Sequence, residues 1–334
     1  MKKLTLEYIQ KRHFLKRGLL FLFLFTGFHY LLISVLEYQI MSQDLFMWRW
    51  KHQVADRQNK EGEIDYQILW IGDSRVLGAV NPTILSRETG KSMVNLAGGG
   101  MQFPAMYFLL KRYLKTHSKP EFVFLSQAPY AWNRHDEFFE NQLKFAMSFS
   151  EYQELVPKTF FQRWNLLLQY PLFSLKSVYA FNPEFRGSFF KRGEHNREVE
   201  RQMCENLGFR AWSDRQLQPS DSLELQWKFE PDPLSLEYCE KIFQLCQQEQ
   251  IRIIYLSMPF PESRIQGLAA IQSSLLSEYS KTLKAFQKKY SFQLIEALEV
   301  RPDSEFSDFS HLNDLGSQNY SKSLVPKMIE WLKS

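Results

Sequence analysis

The chain has 334 residues, of which 44% are hydrophobic and 23% are charged, a balance that is typical of a folded protein and excludes a disordered one. The net charge of +4 is small, and much of the positive charge lies within residues 1–17, so no basic and aromatic stripe for a nucleic acid remains elsewhere. Three cysteines are too few for a disulfide framework and too widely spaced for a zinc site.

Residues 19–36 form an almost unbroken apolar run, LLFLFLFTGFHYLLISVL. At about 1.5 Å per residue the run spans about 27 Å, close to the roughly 30 Å hydrocarbon core of a bilayer. We therefore predict a transmembrane helix over residues 19–38, preceded by a basic tail over residues 1–18. The positive-inside rule places this tail in the cytoplasm and the main domain outside it. The alternatives are a cleaved signal peptide, for which the sequence offers no A-x-A cleavage site, and a buried core helix.

Residues 39–64 are predicted to form a polar connector, in which Trp48 and Trp50 suit the membrane interface or the base of the domain. Five apolar runs of strand character follow, at residues 68–71, 93–97, 122–126, 253–258 and 292–295. Helical patterns alternate with them, over residues 82–88, 104–115, 234–248, about 269–289 and about 317–332. We therefore predict a three-layer, flavodoxin-like α/β fold with a parallel sheet of about five strands over residues 65–334.

An interval at about residues 131–230 breaks this alternation and is rich in aromatic residues. Because it is too long for a structureless loop, we interpret it as an inserted, mainly helical cap. Its aromatic side chains form either the core of the cap or a platform for a sugar or an acyl chain. Cys239 and Cys246 lie on a predicted helix and are expected to face its buried side, whereas Cys204 stays open to a disulfide if this region is extracytoplasmic.

The segment ILWIGDSR, residues 68–75, ends a predicted strand in a glycine followed closely by a serine. Gly72 allows a sharp turn, and Ser74 then projects at the carboxyl edge of the sheet, where open α/β sheets bind their ligands. A serine hydroxyl is a weak nucleophile, so it requires a base, normally a histidine that a carboxylate orients. Ser74 is therefore a candidate nucleophile whose base lies elsewhere in the chain.

The segment DFSHLNDLG, residues 308–316, offers that base. Asp308 and His311 are three residues apart in an irregular stretch, so both side chains can point to the same side. Asp308 would then fix the tautomer of the imidazole while His311 faces the nucleophile. A surface loop histidine is the alternative, and the presence of Ser74 favours the catalytic interpretation. Asn313 and Asp314 are predicted to cap the following helix.

Three consecutive glycines, residues 98–100, follow the second predicted strand. Backbone N–H groups of glycines can approach a ligand closely, and a helix that starts near Pro104 adds favourable potential for an oxyanion. A tight turn without chemistry is the alternative. The segment has neither the lysine of a P-loop nor the spacing of the dinucleotide glycines, and we predict no cofactor and no metal.

These three segments resemble the first, second and fifth motif blocks of the SGNH (GDSL-type) hydrolase superfamily, in the same order and strand context. The resemblance covers about residues 65–332 without the insert. It implies that Ser74 is the nucleophile and that its own N–H helps to hold the oxyanion. It also implies that Gly100 is a second oxyanion donor, that His311 is the general base and that Asp308 orients it.

The sequence departs from that family after the third strand, where residues 125–130, LSQAPY, replace the usual G-x-N-D block. The asparagine donor of the oxyanion hole is therefore unassigned, and Gln127 and Asn133 are candidate substitutes. Losing one such donor typically lowers the rate about a hundredfold to a thousandfold. Arg75, where the family commonly has leucine, is a candidate for binding an anionic group or for a salt bridge.

A membrane-anchored, outward-facing chain with a degenerate third block looks most like the branch that includes the D-alanyl-lipoteichoic acid protein D and the alginate O-acetylation proteins. This resemblance implies acyl transfer to, or removal from, an envelope glycan or lipid, with a membrane-bound O-acyltransferase as a partner. We therefore expect an O-acyltransferase or acyl esterase that uses an acyl-serine intermediate. A catalytically inactive binding or assembly component of an acylation complex and a soluble secreted lipase or esterase are the alternatives.

Overall fold

A computed structural model of the chain describes residues 13–25, 27–28, 43–57, 65–133, 147, 149–155, 189–212, 214–218, 229–264, 272–295 and 299–333. The chain divides into two compact units, one of residues 1–42 and 175–197 and the other of residues 43–174 and 198–334. In the first unit residues 13–25 and 27–28 are helical. Within the described ranges no helix is long and apolar enough to cross a membrane. Residues 26 and 29–38 of the predicted transmembrane helix lie outside those ranges.

A parallel sheet of five strands lies at the centre of the second unit, as predicted. Its strands are β1 (Ile68–Gly72), β2 (Met93–Asn95), β3 (Phe122–Ser126), β4 (Arg252–Leu256) and β6 (Gln293–Ile295). The spatial order is β2-β1-β3-β4-β6, which is the flavodoxin-like order of a doubly wound sheet. Two short strands, β5 (Phe260–Pro261) and β7 (Val300–Arg301), form a separate parallel pair.

Every residue of β1 and β3 is buried, so both faces of the sheet are covered. On one face the rings of Trp70 and Phe124 stack with their centroids 4.2 Å apart. The register pairs Gly72 with Ser126, so these two strands end side by side. The carboxyl ends of β1 and β3 therefore open onto one edge of the sheet.

The described helices are α1 (Gln43–Asp56), α2 (Ser74–Ala79), α3 (Pro82–Thr89), α4 (Phe103–Thr116), α5 (Phe149–Leu155), α6 (Phe189–Glu205), α7 (Pro233–Gln248), α8 (Gln272–Tyr290) and α9 (Asp314–Trp331). Two sets of these helices pack together. Short 3-10 turns span Pro129–Asn133 and Asp303–Glu305. Helix α4 packs against α1 and α7, while α9 packs against α2 and α3. With the sheet buried on both faces, these sets form the outer layers of a three-layer domain.

Local signals place the helix ends. The side chain of Asn81 caps α3 by accepting from the backbone N–H of Thr83 and Ile84, and Gly90 ends that helix with φ +70°. The side chain of Asn313 caps α9 by accepting from the N–H of Gly316 at 2.9 Å. The predicted start of this last helix at residue 317 was therefore three residues late.

Two regions that the sequence set apart are only partly described. Residues 43–56 of the predicted connector form α1, whose Trp48 and Trp50 are buried in the core. The described parts of the predicted cap include α5 and α6, while residues 134–146, 156–188 and 219–228 lie outside the described ranges. Cys239 and Cys246 are buried, as predicted, and all three cysteines are free.

Candidate active site

Ser74 is the first residue of α2, two positions after the last residue of β1. The preceding Asp73 fixes this corner with both carboxylate oxygens. Its Oδ1 accepts from the N–H of Arg75 at 2.9 Å and caps α2, while its Oδ2 accepts from the N–H of Ala128 at 2.9 Å. Ser74 is thus held between the first turn of a helix and the segment that follows β3.

Gly72 is required by the close approach of the two strands. A Cβ atom on Gly72 would lie 2.5 Å from the carbonyl oxygen of Ser126, closer than real Cβ contacts. A larger residue would therefore push β1 away from β3 at the point where the chain turns toward Ser74.

His311 and Asp308 complete a hydrogen-bonded chain with Ser74. The Ser74 Oγ lies 2.8 Å from His311 Nε2, although the two residues are 237 positions apart in the sequence. The other ring nitrogen, Nδ1, lies 2.8 Å from Asp308 Oδ2 and 3.0 Å from Oδ1. The structure therefore brings together all three residues that the sequence singled out, in the order of a nucleophile, a base and an orienting carboxylate.

The carboxylate of Asp308 also anchors its own loop. Its Oδ1 accepts from the N–H of Ser310 at 2.7 Å and from the N–H of His311 at 2.9 Å. Burial works to raise the pKa of Asp308, but the hydrogen bonds and charge of His311 and these backbone donors outweigh it, so the pKa lies below its ordinary value. Asp308 is therefore ionised at neutral pH and can stabilise a positive imidazolium.

Trp212 covers the face of the histidine ring. Its indole and the imidazole of His311 are nearly parallel, with 5° between their planes and 3.8 Å between their centroids. The backbone N–H of Arg210 donates to the carbonyl oxygen of Leu77 at 3.4 Å, which ties this segment to α2. The sequence showed Trp212 only as one of many aromatic residues of the insert, and no local spacing linked it to His311.

Two backbone N–H groups are free to meet an oxyanion. Those of Ser74 and Gly100 have no hydrogen-bond acceptor within the described part of the chain. Gly100 adopts φ +64°, which favours glycine. The turn is held against β1, because the N–H of Gly98 donates to the carbonyl oxygen of Gly72 at 3.1 Å. The family resemblance implies these two donors, and their binding of an oxyanion stays a prediction.

The candidate substitutes for the missing asparagine lie in different surroundings. Gln127 is buried, and its Nε2 donates to the carbonyl oxygen of Met101 at 3.1 Å, so it binds the end of the glycine turn. The Oδ1 of Asn133 accepts from the N–H of Glu230 at 2.8 Å. Gln127 thus lies beside the glycine turn, while the side chain of Asn133 holds a backbone segment before α7.

Arg75 is buried behind the nucleophile. Its Nη2 donates to the carbonyl oxygens of Met258 and Pro259 at 2.8 Å each, and its guanidinium lies 4.2 Å from the ring centroid of Phe260. Within the described ranges no carboxylate forms an ion pair with it. The described residues also contain no group of three or more His, Cys, Asp or Glu side chains that could hold a metal ion.

No family model matches the chain, and no curated protein matches it. Similar solved structures include a Streptococcus pneumonia protein assigned provisionally as a platelet activating factor, with 14% identity, TM-score 0.39, and coverage of 90% of this chain and 99% of the other. Another is a Bacteroides fragilis protein assigned provisionally as an acylhydrolase, with 11% identity, TM-score 0.38, and coverage of 85% and 95%. At these values the likeness assigns neither fold family nor function.

Proposed function

We propose that the chain is an SGNH-type serine enzyme that acts on esters, as an acyl esterase or an O-acyltransferase. The observation that carries the proposal is the unbroken hydrogen-bonded chain from Ser74 Oγ through the imidazole of His311 to the carboxylate of Asp308. Three separate residues in this arrangement are what activation of a weak hydroxyl nucleophile requires.

The chemistry follows from the positions of these atoms. Ser74 Oγ attacks the acyl carbonyl while its proton moves to Nε2 of His311. The negative charge that develops on the carbonyl oxygen is held by the N–H groups of Ser74 and Gly100. The alcohol leaves with the proton from His311, and an acyl-serine remains.

The second half of the reaction uses the same groups. A water molecule or a sugar hydroxyl gives its proton to Nε2 of His311 and attacks the acyl-serine, and the returned proton restores the Ser74 hydroxyl. Asp308 holds the imidazole in the tautomer that accepts at Nε2 and stabilises its positive form. Water gives hydrolysis and a sugar hydroxyl gives transfer, so the two activities share one intermediate.

The location and substrate that we propose are those of an anchored envelope enzyme. The domain would lie outside the cytoplasmic membrane on a single N-terminal helix and act on an envelope glycan or lipid, with a membrane-bound O-acyltransferase as a partner. The basic tail of residues 1–18 supports this orientation. Large apolar side chains of the described helical residues 13–25 and 27–28 are exposed to more than half of their area, which favours a lipid environment.

A binding or assembly component without catalysis is the second candidate. The replaced third block favours it, because no asparagine side chain follows β3 directly. Gln127 lies in this block, and its amide nitrogen donates to the carbonyl oxygen of Met101. The two candidates differ in whether the Ser74 hydroxyl is reactive.

A fluorophosphonate probe separates these candidates because it labels only an activated serine. We expect labelling of the parent and at least a hundredfold slower labelling of Ser74→Ala and His311→Ala. Ser277→Ala is the matched serine control, since Ser277 is exposed on α8, and His117→Ala is the matched histidine control, since His117 precedes β3 at the opposite edge of the sheet. Persistent labelling of Ser74→Ala would refute the nucleophile, and an unlabelled but folded parent would favour the binding component.

The proposed location has its own test. We expect the full chain to stay in the membrane fraction after alkaline carbonate extraction, and a variant without residues 1–38 to be released. Recovery of the full chain in the carbonate-soluble fraction would exclude the anchor and leave the site chemistry unaffected.

A further inference from the structure

Two buried arginines lie beside the candidate active site. Arg75 is 4% exposed and Arg264 is 3% exposed. Their guanidinium groups share the ring of Phe260, at 4.2 and 5.4 Å from its centroid. Burial and then the nearby charge of Arg75 lower the pKa of Arg264 to about 10. Two positive charges are therefore concentrated in a region from which water is largely excluded.

Backbone carbonyl oxygens, which are neutral, accept only some of the hydrogen bonds that the two guanidinium groups can donate. Arg75 donates to two backbone carbonyl oxygens, and Arg264 donates to that of Phe309 at 2.5 Å. The Nε of each guanidinium is buried and has no hydrogen-bond partner among the described residues. An unpaired buried charge is unfavourable, and an anion that reaches it relieves that penalty.

Two neighbouring carboxylates accept hydrogen bonds from other groups. Asp73 accepts from the backbone N–H groups of Arg75 and Ala128, and Asp308 accepts from His311 and its own loop. The negative charges of both carboxylates act on neighbouring side chains. Within the described part of the chain, however, neither carboxylate forms an ion pair with Arg75 or Arg264. Among the described residues, the positive charges of the two guanidinium groups thus have no carboxylate partner, and their Nε donors have no acceptor.

A cavity gives a ligand access to Arg75. Its volume is about 230 Å³, and Arg75 and Gln127 line it together with Met258, Phe260, Leu276 and Tyr279. This volume is below the roughly 300–1,000 Å³ of sites for drug-sized ligands, so it suits a small group on a larger substrate. Arg75 follows the candidate nucleophile in the first turn of α2, so this turn links the cavity to Ser74.

We propose that this cavity binds an anionic group of the ester substrate, a carboxylate or a phosphate, through Arg75. Because the Nη2 of Arg75 donates to two backbone carbonyl oxygens, the oxyanion would meet the remaining donors of the guanidinium and its positive charge. Arg264, whose guanidinium lies 5.4 Å from the ring centroid of Phe260, adds positive potential. The inference rests on the proposed esterase function and narrows its substrates to esters that carry negative charge near the scissile bond.

The anionic group can lie on the acyl side or on the alcohol side, and paired substrates distinguish the two. Mono-4-nitrophenyl succinate against 4-nitrophenyl acetate tests the acyl side, and 1-acetylglycerol 3-phosphate against 1-acetylglycerol tests the alcohol side. The readout is the ratio of kcat/KM for the anionic and neutral members within one protein, which is independent of the amount of folded enzyme. We expect a ratio above ten for one pair, falling about tenfold in Arg75→Gln.

Further variants guard against a folding defect in Arg75→Gln. Leu276→Glu adds a carboxylate to the lining of the cavity and leaves Arg75 in place, so we expect it to lower the ratio about tenfold relative to Leu276→Gln. Arg75→Lys is expected to keep part of the preference, since it keeps the charge. Arg252→Gln, at an exposed arginine at the start of β4, is expected to leave the ratio as in the parent.

The failure of this inference is distinct from the failure of the proposed function. Hydrolysis of both members at equal rates, or a preference that Arg75→Gln retains, would overturn the anion site and leave the esterase intact. An inactive chain would be tested by binding, with succinate and inorganic phosphate as probes of thermal stability in Ser74→Ala. Stabilisation that disappears when Arg75→Gln is added would support the site without catalysis, and no stabilisation by either anion would overturn it.

Discussion

The indole of Trp212 lies flat on the imidazole of His311, with 3.8 Å between the ring centroids. The ring is therefore held from two directions, since Asp308 binds Nδ1 in the plane and Trp212 covers one face. An aromatic face attracts the positive imidazolium that forms when the serine loses its proton. Trp212 thus acts on the reaction through His311, as a positioning residue.

We expect Trp212→Ala to lower kcat/KM for an ester substrate about tenfold, because a cation–π contact contributes roughly 0.5–2 kcal/mol. Trp212→Phe should keep a larger part of the activity. Since Trp212 is 37% exposed, the free energy of unfolding should change by about 1 kcal/mol or less. Steady-state kinetics and urea unfolding measure the two effects, and a loss of stability as large as the loss of activity would contradict a positioning role.

Asp308→Asn should lower kcat by about three to four orders of magnitude while the loop keeps its shape. The asparagine oxygen can still accept from the N–H groups of Ser310 and His311, which the Asp308 Oδ1 now binds. The neutral amide, however, no longer stabilises the imidazolium or holds the productive tautomer. Single-turnover kinetics measure the chemical step, and a decrease of less than tenfold would remove Asp308 from the site.

The lowered pKa of Asp308 also predicts how the free energy of unfolding depends on pH. Its pKa is lowered in the folded chain, so its contribution is fully present above the unfolded value of about 3.9 and is lost as pH falls through the lower folded value. The difference in unfolding free energy between the parent and Asp308→Asn should therefore be constant above about pH 5 and shrink below about pH 4. Urea unfolding across this range measures it. A difference that grows on acidification would mean that burial dominates and raises the pKa.

The sheet could be predicted because its strands are short, continuous apolar runs, and Phe122–Ser126 was predicted with the bounds that the structure gives. The second strand was predicted to reach residue 97 but ends at Asn95. The amide of Asn95 donates to the carbonyl oxygens of Val76 and Val80 at 3.0 Å each and accepts from the N–H of Ala97. These contacts with α2 and its end turn the chain, and a pattern of apolar residues cannot show them.

Some residues of the candidate site could likewise be predicted from the sequence, and others could not. Ser74, His311 and Asp308 could be found because their residue types and short motifs are informative on their own. Trp212 could not, because its role depends on a ring contact between segments that are distant in sequence. The burial of Arg75 was equally hidden, since the carbonyl oxygens that receive its hydrogen bonds belong to a loop 183 and 184 residues further along the chain.

Asp73→Ala should reduce both stability and activity. It removes the cap of α2 and leaves the N–H of Ala128 without its acceptor, which together cost about 1–3 kcal/mol. The loss of this corner should also shift Ser74 and lower kcat/KM. Asn81→Ala, which removes the cap of the next helix, is the matched control and should destabilise by about 1 kcal/mol with the rate per folded enzyme unchanged. Equal effects of the two variants on the rate would contradict a role of Asp73 in positioning Ser74.

Gly100→Ala should slow the reaction about a hundredfold, because a residue with a Cβ resists φ +64° and moves a backbone N–H away from the oxyanion. Gly90→Ala is a matched control, since Gly90 has a similar φ of +70° and a Cβ there would meet no atom within 4 Å. Both variants should lose about 1–2 kcal/mol of stability from backbone strain. Only Gly100→Ala should lower kcat, measured per labelled active site, because Gly90 ends α3 before β2, at the amino edge of the sheet. An equal decrease in kcat for both would attribute the effect to strain and leave the second oxyanion donor unidentified.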